Sequence, residues 1–183
     1  MYDKRYICIF LLAVRIICFA AAERRAGIGG ELFFTGTIPP GGGGGLSVRL
    51  EKIPLNVTVS GAYLYGNHGT VKGTLDYWFL SEKITDIKPD VSFHWFAGIG
   101  LLTDTVFYSI PAADAAVRNK TALGGGFGMR MPIGCYFYAG QEKYEPYVQC
   151  SPEFGVRIYP KSFNKRVSVL WSFPISAGLR FWF

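Results

Sequence analysis

The chain has 183 residues, half of them hydrophobic and 17% charged, with a net charge of +6 and an aromatic load of 4 Trp, 11 Tyr and 15 Phe. That length suits one domain, and so apolar a composition excludes a disordered chain. No run of 18 uncharged apolar residues occurs, which argues against a helical membrane protein, and the basic residues are scattered rather than gathered into the stripe that nucleic-acid binding needs.

In chain order, residues 1–22 read as a secretory leader, followed by one barrel domain over 23–183. Lys4 and Arg5 form the positive start, Tyr6 to Phe19 is apolar except for Arg15, and Ala20, Ala21 and Ala22 offer small residues for cleavage before Glu23. Removing the leader takes away Asp3, Lys4, Arg5 and Arg15 and lowers the net charge from +6 to +4. Cys8 and Cys18 leave with it. Cys135 and Cys150 then remain in an exported, oxidising setting.

Beyond Gly27 the sequence alternates with period two, the strand period, and no segment carries a helical one. Eight segments are expected, near 27–37, 45–52, 55–65, 69–80, 91–103, 121–138, 144–158 and 173–183. The last shows the pattern best: Ile175, Ala177, Leu179, Phe181 and Phe183 share one face, and Ser176, Gly178, Arg180 and Trp182 the other. The apolar phase continues through Leu32, Phe34, Leu75, Tyr77, Leu101, Phe127 and Met129. The opposite phase collects Glu31, Arg49, Glu51, Lys72, Asp76, Arg130, Glu145, Glu153, Arg157 and Arg180.

Periodicity alone does not say which face is inside. A soluble sandwich or lipocalin would bury the apolar face. The continuity of the apolar face, its Tyr, Phe and Trp ends and the terminal Phe183 favour the inverted arrangement of a membrane barrel, with the charges in the lumen. The fold class expected is all-β, an eight-stranded up-and-down antiparallel transmembrane β-barrel.

The segment Ile175-Ser-Ala-Gly-Leu-Arg-Phe-Trp-Phe183 resembles the C-terminal strand by which bacterial outer-membrane barrels are recognised by the barrel-assembly machinery. Phe183, Phe181 and Leu179 would form that assembly signal. Eight strands after a leader are similar to the OmpA/OmpX/OmpW-like group. Gly69 to Phe79 and Phe96-Ala-Gly-Ile-Gly-Leu-Leu102 look most like OmpW-like proteins. The resemblance implies a bacterial outer-membrane location and passage of small hydrophobic molecules, with no catalytic residues and no cofactor.

An eight-stranded barrel has room for packed side chains or one small ligand. The ten inward charges, five of each sign, are expected to pair and fill it, because a lone buried charge costs several kcal/mol. Inward glycines, Gly98, Gly100, Gly124, Gly126 and Gly128, leave an alternative: a vestibule lined by Trp78, Phe96 and Leu102 that holds a small hydrophobic ligand. Pro132 and Pro152, which cannot donate to the ladder, fall on one seam and suggest either a bulge or a lateral gap. Folding the same two segments together brings Cys135 near Cys150, which leaves open a disulfide or two free apolar thiols.

Other chemistry finds little support. The only histidines are His68 and His94, so no zinc spacing exists. Ser92 and His94 share a face but are placed inside the lumen, away from lipid substrates. Gly124-Gly-Gly-Phe-Gly128 lacks the lysine of a phosphate loop. The connections 104–120 and 159–172 mix aromatics with Lys161, Lys165 and Arg166 and would form an outer rim that meets lipid head groups or host macromolecules. The sequence thus points to a channel or carrier for small apolar molecules or, alternatively, to a sealed structural barrel or surface adhesin.

Overall fold

The computed structural model describes residues 26–36, 40–64, 68–110, 120–159 and 166–183. The leader, part of the 104–120 connection, and Lys161 and Lys165 lie outside the described residues. Eleven strand segments follow one another: β1 (Ala26–Thr35), β2 (Gly41–Leu50), β3 (Leu55–Leu64), β4 (His68–Lys88), β5 (Val91–Ile110), β6 (Lys120–Arg130), β7 (Ile133–Tyr138), β8 (Tyr144–Cys150), β9 (Glu153–Ile158), β10 (Val167–Ser172) and β11 (Pro174–Trp182). The pairs β6 and β7, β8 and β9, and β10 and β11 are each one stave broken near its middle, so the segments build eight antiparallel staves. Neighbours in sequence are neighbours in space, and β1 pairs with β11 to close the cylinder. This is the up-and-down barrel that the alternation predicts.

The cross-strand register fixes the shape. Hydrogen-bonded partners can be followed from Trp171 through Phe154, Met129, Leu101, Leu75, Val57, Val48 and Ile28 to Phe181. One circuit therefore returns to the last stave ten residues away from its start. In an eight-stranded barrel such an offset tilts the staves by roughly 40° to the axis. Ala26 and Phe183 meet at one end, called here the terminal end, where the Phe183 amide donates to the Ala26 carbonyl at 3.1 Å. The opposite, loop end carries the hairpins between β1 and β2, β3 and β4, β5 and β6, and β9 and β10.

The residues on this track all point outward. Leu101 and Trp171 are 60% and 59% exposed, whereas Asp76, Glu145 and Arg180 are 0% exposed. Polarity is thus inverted relative to a soluble protein: the outside is a belt of Leu, Val, Ile, Phe and Met, and the charges sit within. Such a belt requires an acyl medium, because in water it would be a contiguous apolar patch.

Four sequence boundaries are corrected. The last stave starts at Val167 rather than 173, because β10 (Val167–Ser172) pairs with β9 where a connection is expected. β5 runs on to Ile110 rather than ending at 103, with Val106 and Tyr108 buried inside. Thr103 and Thr105 stand outward there, and their polarity hides the alternation. β4 runs to Lys88 rather than 80, because register shifts after Tyr77, Lys83 and Asp86 break the period. The glycines 41–44 belong to β2, having no side chains to display a phase.

The prolines mark a line through three adjacent staves. Breaks fall at Met131-Pro132, Ser151-Pro152 and Phe173-Pro174. Each proline lacks a donor but still accepts: Gly98 N–H donates to Pro132 O at 2.8 Å, Met131 N–H to Pro152 O at 3.0 Å and Ser151 N–H to Pro174 O at 2.9 Å. The wall therefore stays hydrogen-bonded across the proline seam, and the register is the same on both sides of it, so the seam is neither a bulge, which would add a residue, nor a gap.

Replacing Leu101 by Arg, midway along the belt, is expected to lower the stability of the lipid-embedded barrel by about 2–4 kcal/mol, read from urea unfolding in vesicles.

Candidate functional site

The lumen is the candidate site, and its terminal half is packed solid. Glu145 on β8 lies between two arginines, Arg49 on β2 at 2.8 Å and Arg180 on β11 at 2.5 Å. Trp182 Nε1 donates to the same carboxylate at 2.9 Å. Arg180 also donates to Ser47 Oγ and Asn56 Oδ1, both at 3.0 Å. The arginine planes rest on aromatic faces: Arg49 is 4.3 Å from the Trp78 ring and 4.6 Å from Tyr136, and Arg180 is 3.8 Å from Tyr147. Trp78 stacks on Phe96 with ring centres 3.6 Å apart. The Tyr147 hydroxyl donates to Glu31 Oε2 at 2.8 Å, bringing in β1. Every stave therefore contributes a side chain to this plug.

Above the plug the charges continue in pairs. Arg130 Nε lies 3.3 Å from Asp76 Oδ1, Lys72 Nζ 2.7 Å from Glu153 Oε2, and Arg157 Nη2 2.7 Å from Asp104 Oδ2. Two of these pairs follow one rule. Asp76 is cross-strand neighbour to Gly100, which neighbours Arg130; Asp104 neighbours Gly126, which neighbours Arg157. In each case the aspartate reaches its arginine two staves away across a glycine. A methyl group on Gly100 or Gly126 would overlap that aspartate's Oδ1.

Nine of the ten expected inward charges are in the lumen. Glu51 is the exception: β2 ends at Leu50, and Glu51 sits exposed in the turn at the terminal end. Asp104, read from sequence as the start of a loop, takes its place, so the lumen still holds five charges of each sign. The missed signal is the inward phase of Asp104, Val106 and Tyr108, which Leu102 begins.

The glycine-walled vestibule is occupied by neighbouring side chains. Beside Gly98 lies Trp78, with its ring 3.0 Å from where a Cβ would be, and beside Gly134 lies Phe96 at 2.8 Å. Gly128 faces the backbone of Gly155 too closely to admit a side chain. Trp78, Phe96 and Leu102 are at most 4% exposed, so they form core rather than the lining of a pocket. Gly124 is buried on the same inward face as Gly126. Among the described residues a cavity of about 160 Å³ lies towards the loop end, bordered both by Thr35, Thr70, Lys72, Asp104, Glu153 and Arg157 and by the apolar Phe33, Val169, Leu170 and Trp171. Thr70 Oγ1 and Asp104 Oδ1 take no hydrogen bond from the protein, and the space suffices for several waters.

Cys135 and Cys150 are free thiols, the second of the two alternatives that the sequence leaves open. The register sets Cys135 against Val148 and Cys150 against Ile133, so the two cysteines are staggered by two residues along the strands. Leu179, Phe181 and Phe183 all face outward on the last stave. At the terminal end, Ser92 Oγ and His94 Nε2 are 2.9 Å apart, and the imidazole stacks on Tyr136. They border a polar hollow of about 450 Å³ with Lys83, Asp86 and Glu142. Among the described residues no group of three His, Cys, Asp or Glu side chains could hold a metal ion.

No protein-family model matches the chain, and no curated protein matches its sequence. Solved structures do match in shape. The N-terminal β-barrel domain of Pseudomonas aeruginosa OprF shares 12% identity and a TM-score of 0.49, covering 86% of this chain and 97% of that one. Neisserial surface protein A shares 12% identity and a TM-score of 0.50, covering 87% and 96%. The fold is that of a small outer-membrane β-barrel. A major outer membrane protein of Thermus thermophilus is similar at 14% identity and a TM-score of 0.43, covering 86% and 99%. At these identities the likeness is one of fold, and it singles out no OmpW-like kinship.

Glu145→Gln leaves two buried guanidinium groups with a neutral amide between them. It is expected to lower unfolding stability by about 3–5 kcal/mol, measured by urea titration in vesicles. Gly126→Val is expected to cost about 1–3 kcal/mol by overpacking against Asp104. Gly125→Val, whose Cβ would meet its nearest atom at an ordinary 3.5 Å, is the matched control and should be neutral in the same titration.

Proposed function

We propose that the chain is an integral barrel of a bacterial outer membrane whose lumen is sealed, and that it serves as a structural or surface-presenting element of the envelope. On this reading the leader 1–22 directs export and is cleaved, Leu179, Phe181 and Phe183 are read by the barrel-assembly machinery, and the termini lie on the periplasmic side. The loop-end rim then meets outer-leaflet lipid or host macromolecules.

The observation that carries the reading is the plug around Glu145. Arg49, Arg180, Trp78, Phe96, Tyr136 and Tyr147 close on it from opposite walls, and all but Arg49 are at most 2% exposed. Opening a passage there would separate ion pairs in a low-dielectric interior, which costs several kcal/mol per charge left alone. The rival, an OmpW-like channel or carrier for small apolar molecules, needs an apolar route. The cavity in the described lumen mixes Phe33, Leu170 and Trp171 with Lys72, Glu153, Asp104 and Arg157, and the plug stands between it and the terminal end, so no continuous apolar route results. The reading involves no enzymatic step, no cofactor and no nucleic acid.

Purified barrel reconstituted in planar bilayers is expected to give no sustained conductance while remaining folded by heat-modifiable gel mobility. Vesicles carrying it should take up small apolar solutes no faster than empty ones. Stable unitary currents or accelerated uptake from the folded protein would instead establish the channel reading.

A further inference from the structure

The ribbon formed by β4 and β5 runs past the rest of the barrel at the terminal end. β3 begins at Leu55, opposite Tyr77, and Trp78 N–H donates to Pro54 O at 2.7 Å. Beyond that point Phe79 to Lys88 have β5 on one side and, among the described residues, no strand on the other. Three register shifts lie in this stretch, between Tyr77 and Leu80, Lys83 and Thr85, and Asp86 and Lys88. The added residues include Phe79, Ile84 and Ile87, which are 54–55% exposed. Each irregularity thus places a bulky apolar side chain on the surface.

The two faces of the ribbon differ. Lys83, Asp86, Ser92 and His94 border the polar hollow beneath the lumen. On the outer face, Phe93 stacks on Phe137 with ring centres 4.8 Å apart, and Trp95 stands opposite Cys135. On β5 and β7 this face continues the belt of Ile99, Leu101 and Ile133, while on β4 it carries Glu82 opposite Trp95 and Thr85 opposite Phe93. Each of two environments would oppose this arrangement. In bulk water the apolar face would be an exposed patch. In hydrocarbon the free edge of β4 would leave N–H and C=O groups unpaired, at several kcal/mol each. A strand from another molecule is also disfavoured: bulges, Lys83, Lys88 and the following Pro89 are the features that blunt an edge against pairing.

We propose that this ribbon is an interfacial foot, lying in the head-group zone of the leaflet at the terminal end of the barrel. There Phe79, Ile84 and Ile87 dip towards the acyl chains while water and phosphates satisfy the free strand edge. Glu82 and Lys88 extend their charged ends to the same aqueous layer. The occupant of the apolar face is the lipid of the barrel's own bilayer.

The test uses the folded full-length barrel, freed of native cysteines, with a single cysteine at Ile84→Cys, Ile87→Cys, Lys83→Cys or Leu101→Cys. Each is labelled with a polarity-sensitive fluorophore and placed in phosphatidylethanolamine–phosphatidylglycerol vesicles. Nitroxides are carried on the lipid head group, high on the acyl chain or at mid-chain. The label at Leu101→Cys reports whether the barrel is embedded at all and should be quenched from mid-chain. Labels at 84 and 87 should be blue-shifted and quenched by the head-group and upper-chain nitroxides, and the label at 83 by none. Quenching at 101 with 84 and 87 as unquenched as 83 would overturn the proposal while leaving the barrel reading intact. So would mid-chain quenching at 84 and 87, or energy transfer between labelled copies at 84, which would place a second molecule on the edge.

Discussion

The pairing of charge inside a closed apolar cylinder is the constraint on which the rest of the structure depends. Five cationic and five anionic side chains occupy a space no wider than eight strands allow. Water cannot reach most of them to compensate an error, so position decides sign. The terminal half resolves this with one carboxylate held by two arginines and walled by aromatic rings. The loop half uses separate pairs, two of which border a cavity. The inside is therefore graded along the axis, from dry and aromatic to partly open.

Glycine is what lets two of the pairs form. Asp76 and Arg130, like Asp104 and Arg157, stand two staves apart, and a side chain on the stave between them would block their approach. Removing the side chain between them opens a slot, and Asp76 and Asp104 lie in such slots beside Gly100 and Gly126. Trp78 and Phe96 use Gly98 and Gly134 in the same way. The glycine content thus measures the size of the neighbours that it accommodates rather than the size of an empty pore.

Much of this was legible in the sequence, because a strand writes its two faces at alternate positions. Nine lumen charges could be named from phase alone. What escaped was whatever disturbed the phase. Glu51 kept the alternation while lying one residue past the strand end. Asp104 was inward but followed by outward threonines, which read as loop. Ile84 and Ile87 fell where β4 slips its register, so their face was undefined without coordinates. The glycine slots were ambiguous for another reason: an absent side chain records that space is left, not what fills it. The cysteines required the register itself, since a stagger of two residues separates a bridge from two free thiols.

The oblique row of prolines on the last three staves carries a consequence for how the molecule can vary. Pro132, Pro152 and Pro174 interrupt the ladder where β7, β8 and β11 give way to β6, β9 and β10. Below that row lies the aromatic-walled bowl; above it stands a collar in the same register, since no residue is added or lost at the row and the other five staves run through it. The two storeys are therefore one lattice, and a single residue inserted at the row would turn one of them inside out against the continuous staves.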